Sequence, residues 1–291
     1  LIICAICLLF TAPAVAQFDN IGTSAGNFLK IGIGSRAEAM AGAFVAQVND
    51  MSALFWNPAG MSQLEKREVL VHRTDWILDI NHIYVAAGLP ISNFGTLGFS
   101  VSSLSMGEMD QTTAENPDGT GVKFSASNFA IGLGYARDLT DRFSMGVHAK
   151  YVQEKISAST ANTFAVDFGT IYTTGFRGMK IGMSISNFGG KLRMQGREQL
   201  QRVDIDPGLG GNPTEIPARL ETESWPLPLS FRLGVSMDVL KNENSRLTTN
   251  VDYLDPRDIN PMSCLGIEYG FRNIVFFARR LPHRLGQPGL V

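Results

Sequence analysis

Cysteine is almost missing from this chain. Its 291 residues hold three, and two of these, Cys4 and Cys7, fall in the first ten. Once such a leader is removed only Cys264 remains, so no intrachain disulfide can form and packing and hydrogen bonds must hold the fold. Charge is scarce as well. Asp, Glu, Lys and Arg make up 18%, against about 25% in ordinary soluble domains. The net charge of −2 lacks the basic surplus of a general nucleic-acid binder, so no nucleic-acid partner is expected. After residue 17 no apolar run nears the roughly 18 residues of a membrane-spanning helix, which leaves a soluble exported protein or a β-barrel. Catalytic motifs are absent too. The four histidines, at 72, 82, 148 and 283, are scattered, and neither G-x-S-x-G nor a Walker loop occurs. Gly32-Ile-Gly34-Ser-Arg-Ala37 echoes a dinucleotide fingerprint but stands in no βαβ unit. Asp204 and Asp206, in a stretch rich in Gly and Pro, read as a solvated loop rather than a calcium site. The sequence therefore predicts no enzyme activity, no cofactor and no metal site.

What is present begins with a leader. Leu1 to Phe10 read LIICAICLLF, and Ala14-Val15-Ala16 forms an A-x-A cleavage site. Residues 1–16 are read as a signal peptide whose Met and basic n-region are missing. A transmembrane anchor fits less well, because a span needs about 20 apolar residues. No small residue precedes Cys4 or Cys7, which excludes a lipoprotein box.

The rest is dominated by period-two alternation. From Phe143 one face reads Phe143, Met145, Val147, Ala149, Tyr151 and the other Ser144, Gly146, His148, Lys150. From Leu227 the apolar face is Leu227, Leu229, Phe231, Leu233, Val235, Met237 and Val239, against Pro228, Ser230, Arg232, Gly234, Ser236 and Asp238. Similar runs lie near 69–77, 82–90, 96–104, 129–136, 164–168, 181–185, 246–254, 265–271 and 273–279. About eleven strands are expected between 68 and 280. Short turn-rich connections (92–95, 138–142, 174–178) contrast with long polar ones (106–122, 190–226), as in outer-membrane barrels.

One-sided strands admit two architectures. A periplasmic sandwich would bury the apolar face in a shared core. A membrane barrel would turn it to lipid and enclose the polar face. Several runs exceed the usual strand of about 5–6 residues and match the 9–11 of a membrane strand. Aromatics such as Phe94, Phe129, Tyr151, Tyr172, Phe188 and Phe271 stand near strand ends, where interfacial girdles lie. The expected fold is therefore all-β: an antiparallel transmembrane barrel in the outer membrane of a Gram-negative-type cell, in contact with its lipid. His148, Lys150, Asp167, Arg232, Asp238 and Glu268 then line a polar lumen. An Arg or Lys facing lipid at the midplane would cost about 2–4 kcal/mol.

Residues 17–67 do not alternate. Ser35-Arg-Ala-Glu38 reads as a capping box, with Ser35 as N-cap of a short helix through Met40 that Gly42 stops. Asp50 or Ser52 can cap a second short helix over Ala53 to Trp56, and Pro58 and Gly60 punctuate the turn into the first strand.

This segment carries a family pattern. S-R-A-x-A-M-x-G-A at 35–43 (Ser35, Arg36, Ala37, Met40, Gly42) and N-D-x-S-A-x-F-W-N-P-A-G-M at 49–61 (Asp50, Trp56, Asn57, Pro58, Ala59, Gly60) resemble the PorV/PorQ family of outer-membrane proteins, within the FadL-like superfamily. The resemblance implies a barrel of fourteen strands, with the N-terminal segment folded into the lumen as a plug of short helices. It implies a part in type IX secretion, with partners among secreted cargo bearing C-terminal sorting domains and among the secretion components. FadL-like relatives imply an alternative, a channel for hydrophobic small molecules. Two departures stand out. The pattern normally has Gly where this chain has Ala41. After Phe277 the chain reads ARRLPHRLGQPGLV, which does not alternate. The expectation is a truncation or frameshift near 278 that leaves 281–291 an atypical tail and about three closing strands missing.

Overall fold

Alternating residues build one large antiparallel sheet in the computed structural model, which describes residues 21–76, 80–204, 215–271 and 275–284. Eleven strands lie side by side in chain order. They are β1 (Glu68–Asp75), β2 (Asn81–Ile91), β3 (Gly95–Ser105), β4 (Ala126–Thr140), β5 (Phe143–Ile156), β6 (Ser159–Thr173), β7 (Lys180–Gly189), β8 (Ser230–Lys241), β9 (Ser245–Pro256), β10 (Met262–Phe271) and β11 (Val275–Arg284). Each pairs antiparallel with its sequence neighbour. Among the described residues β1 and β11 do not pair with each other. Among them, too, no helix is long and apolar enough to cross a membrane. The leader at 1–16, the loop from 205 to 214 with Asp206, and the tail beyond Arg284 lie outside the described residues.

The expected end of the strands needs correction. β11 keeps unbroken pairing with β10 through Arg284, and Pro282 stands opposite Cys264. The missing alternation after Phe277 does not stop the strand, because backbone pairing with an already formed neighbour does not depend on side-chain period.

Register decides the faces. Val69, Leu133 and Phe164 are 70%, 68% and 71% exposed, and Leu233 and Val235 point outward with them. Ser100, His148, Asp167, Asn250, Asp252 and Glu268 are buried on the other face. Among the described residues no second sheet covers the apolar face. Residues 24–64 instead occupy the polar one, so a sandwich is excluded. Leu227 departs from the expected pattern: it precedes β8 and packs inward with Phe28 and Leu29.

The connections separate by end. At one end lie 92–94, 141–142, 174–179 and 242–244. At the other lie 106–125, 190–204, 215–229 and 257–261, partly organised as two-stranded ribbons such as Leu200–Asp204 with Glu215–Arg219. Aromatic clusters mark both ends. Phe94 and Tyr135 stack at 5.3 Å near the short turns. Phe129, Tyr151 and Phe164 form a chain at 6.0 and 5.4 Å toward the long loops.

Candidate functional site

The buried core of this molecule is the segment inside the sheet. Ile33, Met40, Phe44, Val48, Met51, Leu54, Trp56 and Met61 are all buried in one cluster. Two short helices, α1 (Ser35–Ala39) and α2 (Ala53–Trp56), and a 3₁₀ turn (Pro58–Gln63) shape it. Ser35 is not the N-cap. Gly34 holds that position at φ 82°, and no side chain caps α1. A left-handed N-cap starts the helix one residue early and leaves Ser35 inside it. α2 is flanked by Ser52, whose N–H donates to Asp50 Oδ1 at 2.8 Å.

Each residue of the Trp-Asn-Pro-Ala-Gly string has a physical reason. Trp56 Nε1 donates to the Ile33 carbonyl at 2.9 Å, and its ring meets Phe44 and Phe55 edge-on. The Asn57 amide donates to the Val45 and Thr170 carbonyls at 2.8 and 3.1 Å and accepts from Ala59 N–H at 3.1 Å. It ties plug to wall while starting the 3₁₀ turn, where Pro58 needs no donor. Ala59 and Gly60 are buried, and a side chain on Gly60 would strike the Val48 backbone.

Ala41 sits at φ 57°, beside Gly42 at φ 76°. The left-handed region costs an L-residue with a Cβ roughly 1–2 kcal/mol. Ala41→Gly is therefore expected to stabilise the chain by up to about 1 kcal/mol, after the greater freedom of unfolded glycine is subtracted. A urea midpoint that does not rise would contradict this.

The wall makes room with a belt of small residues. Gly88, Gly98, Gly134, Gly146, Gly169, Gly182, Gly234 and Gly266 face the plug from β2 to β10. A Cβ on Gly146 would overlap the Pro58–Ala59 backbone, and one on Gly182 would overlap Val45–Ala46. The plug thus lies against the strands at backbone distance.

Polar contacts then fix it in register. Glu268 accepts from Arg36 at 2.6 and 3.1 Å, from Gln47 at 3.2 Å and from Arg246 at 3.2 Å. Asp252 accepts from the Phe44 and Val45 N–H groups at 2.8 and 2.9 Å. Glu68 accepts from Met51 N–H at 3.0 Å. At the long-loop end Asp258 accepts from Lys30 Nζ at 2.7 Å and from Ser24 Oγ. Burial raises the Asp258 carboxyl, but these donors outweigh it and hold the group below its usual range. A depressed carboxylate stabilises above its unfolded value of about 3.9 and loses that contribution as pH falls through the lower folded value. A fluorophore at Asn27 is expected to gain mobility only below about pH 4. In Asp258→Asn that acid transition should vanish; its persistence would assign the transition elsewhere.

Of the six expected lumenal groups, all on the plug-bearing face of the sheet, three form one cluster and three stand apart. His148, Lys150 and Asp167 come together: Lys150 Nζ lies 2.8 Å and His148 Nδ1 3.1 Å from Asp167 Oδ2. Ser100 Oγ lies 2.9 Å from His148 Nε2. Lys150 also donates to Asn187 at 2.6 Å, and Asn187 N–H donates to Asp167 at 2.7 Å. Glu268 belongs to the Arg36 contact. Asp238 accepts from Thr248 at 2.7 Å near the short turns. The Arg232 guanidinium lies 4.5 Å over the Trp56 ring. A cavity of about 260 Å³ separates plug from wall here, bounded by Leu29, Leu54, Phe55, Tyr84, His148 and Arg232. Sequence reasoning missed Ser100, Asp252, Glu68 and Asp258. The pairing register brings Ser100, Asp252 and Glu68 to the plug, and Asp258 reaches it from the 257–261 connection.

Sequence and structure comparisons agree with this geometry. The profile of the family described as type IX secretion system protein PorV matches residues 14–214. Among curated proteins none matches. The CymD monoaromatic hydrocarbon channel superposes with a TM-score of 0.53 at 10% identity, over 89% of this chain and 85% of that one. The Pseudomonas putida toluene transporter TodX gives a TM-score of 0.49 at 12% identity, over 82% and 80%. The first likeness establishes a shared fold.

Proposed function

Because this chain belongs to the PorV family of type IX secretion system proteins, we propose that it is an outer-membrane barrel that helps export proteins or attach them to the cell surface. The observation that carries this reading is the family match itself, which runs through the plug and the first seven strands. The geometry supports it. The plug packs against the inner wall, so cargo binds at the rim, where the 106–125, 190–204 and 215–229 segments gather. The partners are secreted proteins with C-terminal sorting domains, components of the secretion machinery and outer-membrane lipid. Mechanistically the barrel is a docking platform, and the plug keeps the pore shut while cargo is held. Deleting the gene should leave such cargo inside the cell or released instead of surface-bound, and the purified chain in detergent should retain a sorting domain. Normal surface display in the deletion strain would refute the proposal.

One observation favours a second reading, a channel for hydrophobic small molecules. The cavity beside the plug carries Leu29, Leu54, Phe55 and Leu254 on its lining, and CymD is itself a hydrocarbon channel. Uptake of a monoaromatic hydrocarbon into vesicles holding the purified chain would favour that reading. Cargo retention without uptake would favour the first.

A further inference from the structure

Three strands of the inner wall place a serine, a histidine and a carboxylate in one hydrogen-bonded line that opens on the cavity. Ser100 on β3 lies 2.9 Å from His148 Nε2 on β5, and His148 Nδ1 lies 3.1 Å from Asp167 Oδ2 on β6. β4 separates β3 from β5, so the imidazole must reach across it. Gly132 makes this possible, since a Cβ there would collide with His148 Nε2. In the tautomer with Nδ1–H donating to Asp167, Nε2 can accept the Ser100 proton, which is the arrangement of an activated serine; the Leu54 carbonyl also approaches the ring. Ser100 and His148 both line the cavity. Tyr84, on the adjacent strand β2, is buried, lines the same cavity, and its hydroxyl is directed toward Ser100. Lys150 and the Asn187 N–H hold Asp167 from its other sides.

We propose that this lumenal Ser100–His148–Asp167 line is a hydrolytic site for small carboxylic esters with apolar groups, and that the Tyr84 hydroxyl stabilises the oxyanion. The size of the cavity and its Leu29, Leu54 and Phe55 lining set the substrate class. Ser100 Oγ bonds to the acyl carbon while its proton passes to His148 Nε2. The bond from that carbon to the alcohol oxygen then breaks, and the alcohol leaves with the proton from His148. Water next adds to the acyl carbon and gives a proton to His148. The bond to Ser100 Oγ breaks, the serine recovers the proton, and the carboxylic acid is released. Ser100 and His148 are catalytic residues; Asp167 is a positioning residue acting through His148.

The test uses the full chain purified in detergent and a small alkyl fluorophosphonate, followed by peptide mass spectrometry. Ser100 is expected to be phosphonylated in preference to Ser102 and Ser186, which line the same cavity. His148→Gln should slow the labelling at least about 100-fold. Hydrolysis of p-nitrophenyl butyrate should disappear in Ser100→Ala. In Tyr84→Phe, kcat should fall about 100-fold with KM unchanged. Asp167→Asn should lower kcat while KM holds, and Asp167→Glu should recover part of it, a pattern that a merely structural role would not give. The wild-type experiment stands even if a variant fails to fold. An unlabelled Ser100 in the folded wild-type chain, or labelling no more selective than at Ser102, would overturn the proposal and leave the export reading intact.

Discussion

Replacing Leu133 by arginine is expected to destabilise the chain in a lipid bilayer by about 2–4 kcal/mol, the depth-dependent charge for Arg or Lys on a lipid-facing midplane position. Leu133 stands mid-strand in β4, opposite Phe99 on one side and Ala149 on the other, and is 68% exposed. An equally exposed leucine on a water-facing surface would tolerate the change within about 0.5 kcal/mol. The two outcomes are far enough apart for urea unfolding in vesicles to separate them. The direction follows from desolvation: among the described residues no second sheet stands over Leu133 to receive the charge, so the guanidinium must either enter hydrocarbon or pull water and headgroups inward.

The second large effect is at the plug. Gly146→Leu is expected to expel residues 57–61 from their seat. The new side chain would occupy the volume of the Pro58–Ala59 backbone, and a backbone held by Asn57 on both sides cannot yield by a rotamer change. Insertion of extra methylenes into a packed core typically costs about 1–3 kcal/mol. Here the molecule can relieve the overlap by releasing the plug, so the readout is permeability. Planar bilayers holding Gly146→Leu should show frequent openings where the wild type is closed. Equal conductance in the two would mean that the glycine belt is not what seats the plug. Gly182→Leu, which meets Val45 and Ala46 instead, should reproduce the effect two strands further along the wall.

The strands were legible because alternation in β4, β5 and β8 repeats a simple physical requirement: one face in hydrocarbon, the other enclosed. The short helices before β1 were legible from the lost alternation and from Pro58 and Gly60; that they plug the lumen was implied only by the family resemblance. Other features needed the register. Leu227 reads as the first member of an outward apolar face, yet the chain has not entered β8 there, and the residue turns in to meet Phe28. Ser35 has the sequence of an N-cap, but Gly34 takes that role through a backbone angle that no local side-chain pattern announces. Pro282 and the arginines after Phe277 hide a strand that pairing with β10 extends. Ser100, His148 and Asp167 lie 48 and 19 residues apart in sequence, so no local motif could join them. Gly132 lets them meet across β4, and alone it looks like any other small residue on a polar face.

The claim beneath all of this is that the apolar face meets lipid. It is tested most directly with a nitroxide at Leu133 in a cysteine-free background, reconstituted in vesicles, with a second label at Thr113 in the 106–125 loop as reference. At Leu133 the account predicts high collision with oxygen and almost none with a water-soluble nickel complex, with the opposite at Thr113. Nickel access at Leu133 equal to that at Thr113 would contradict it.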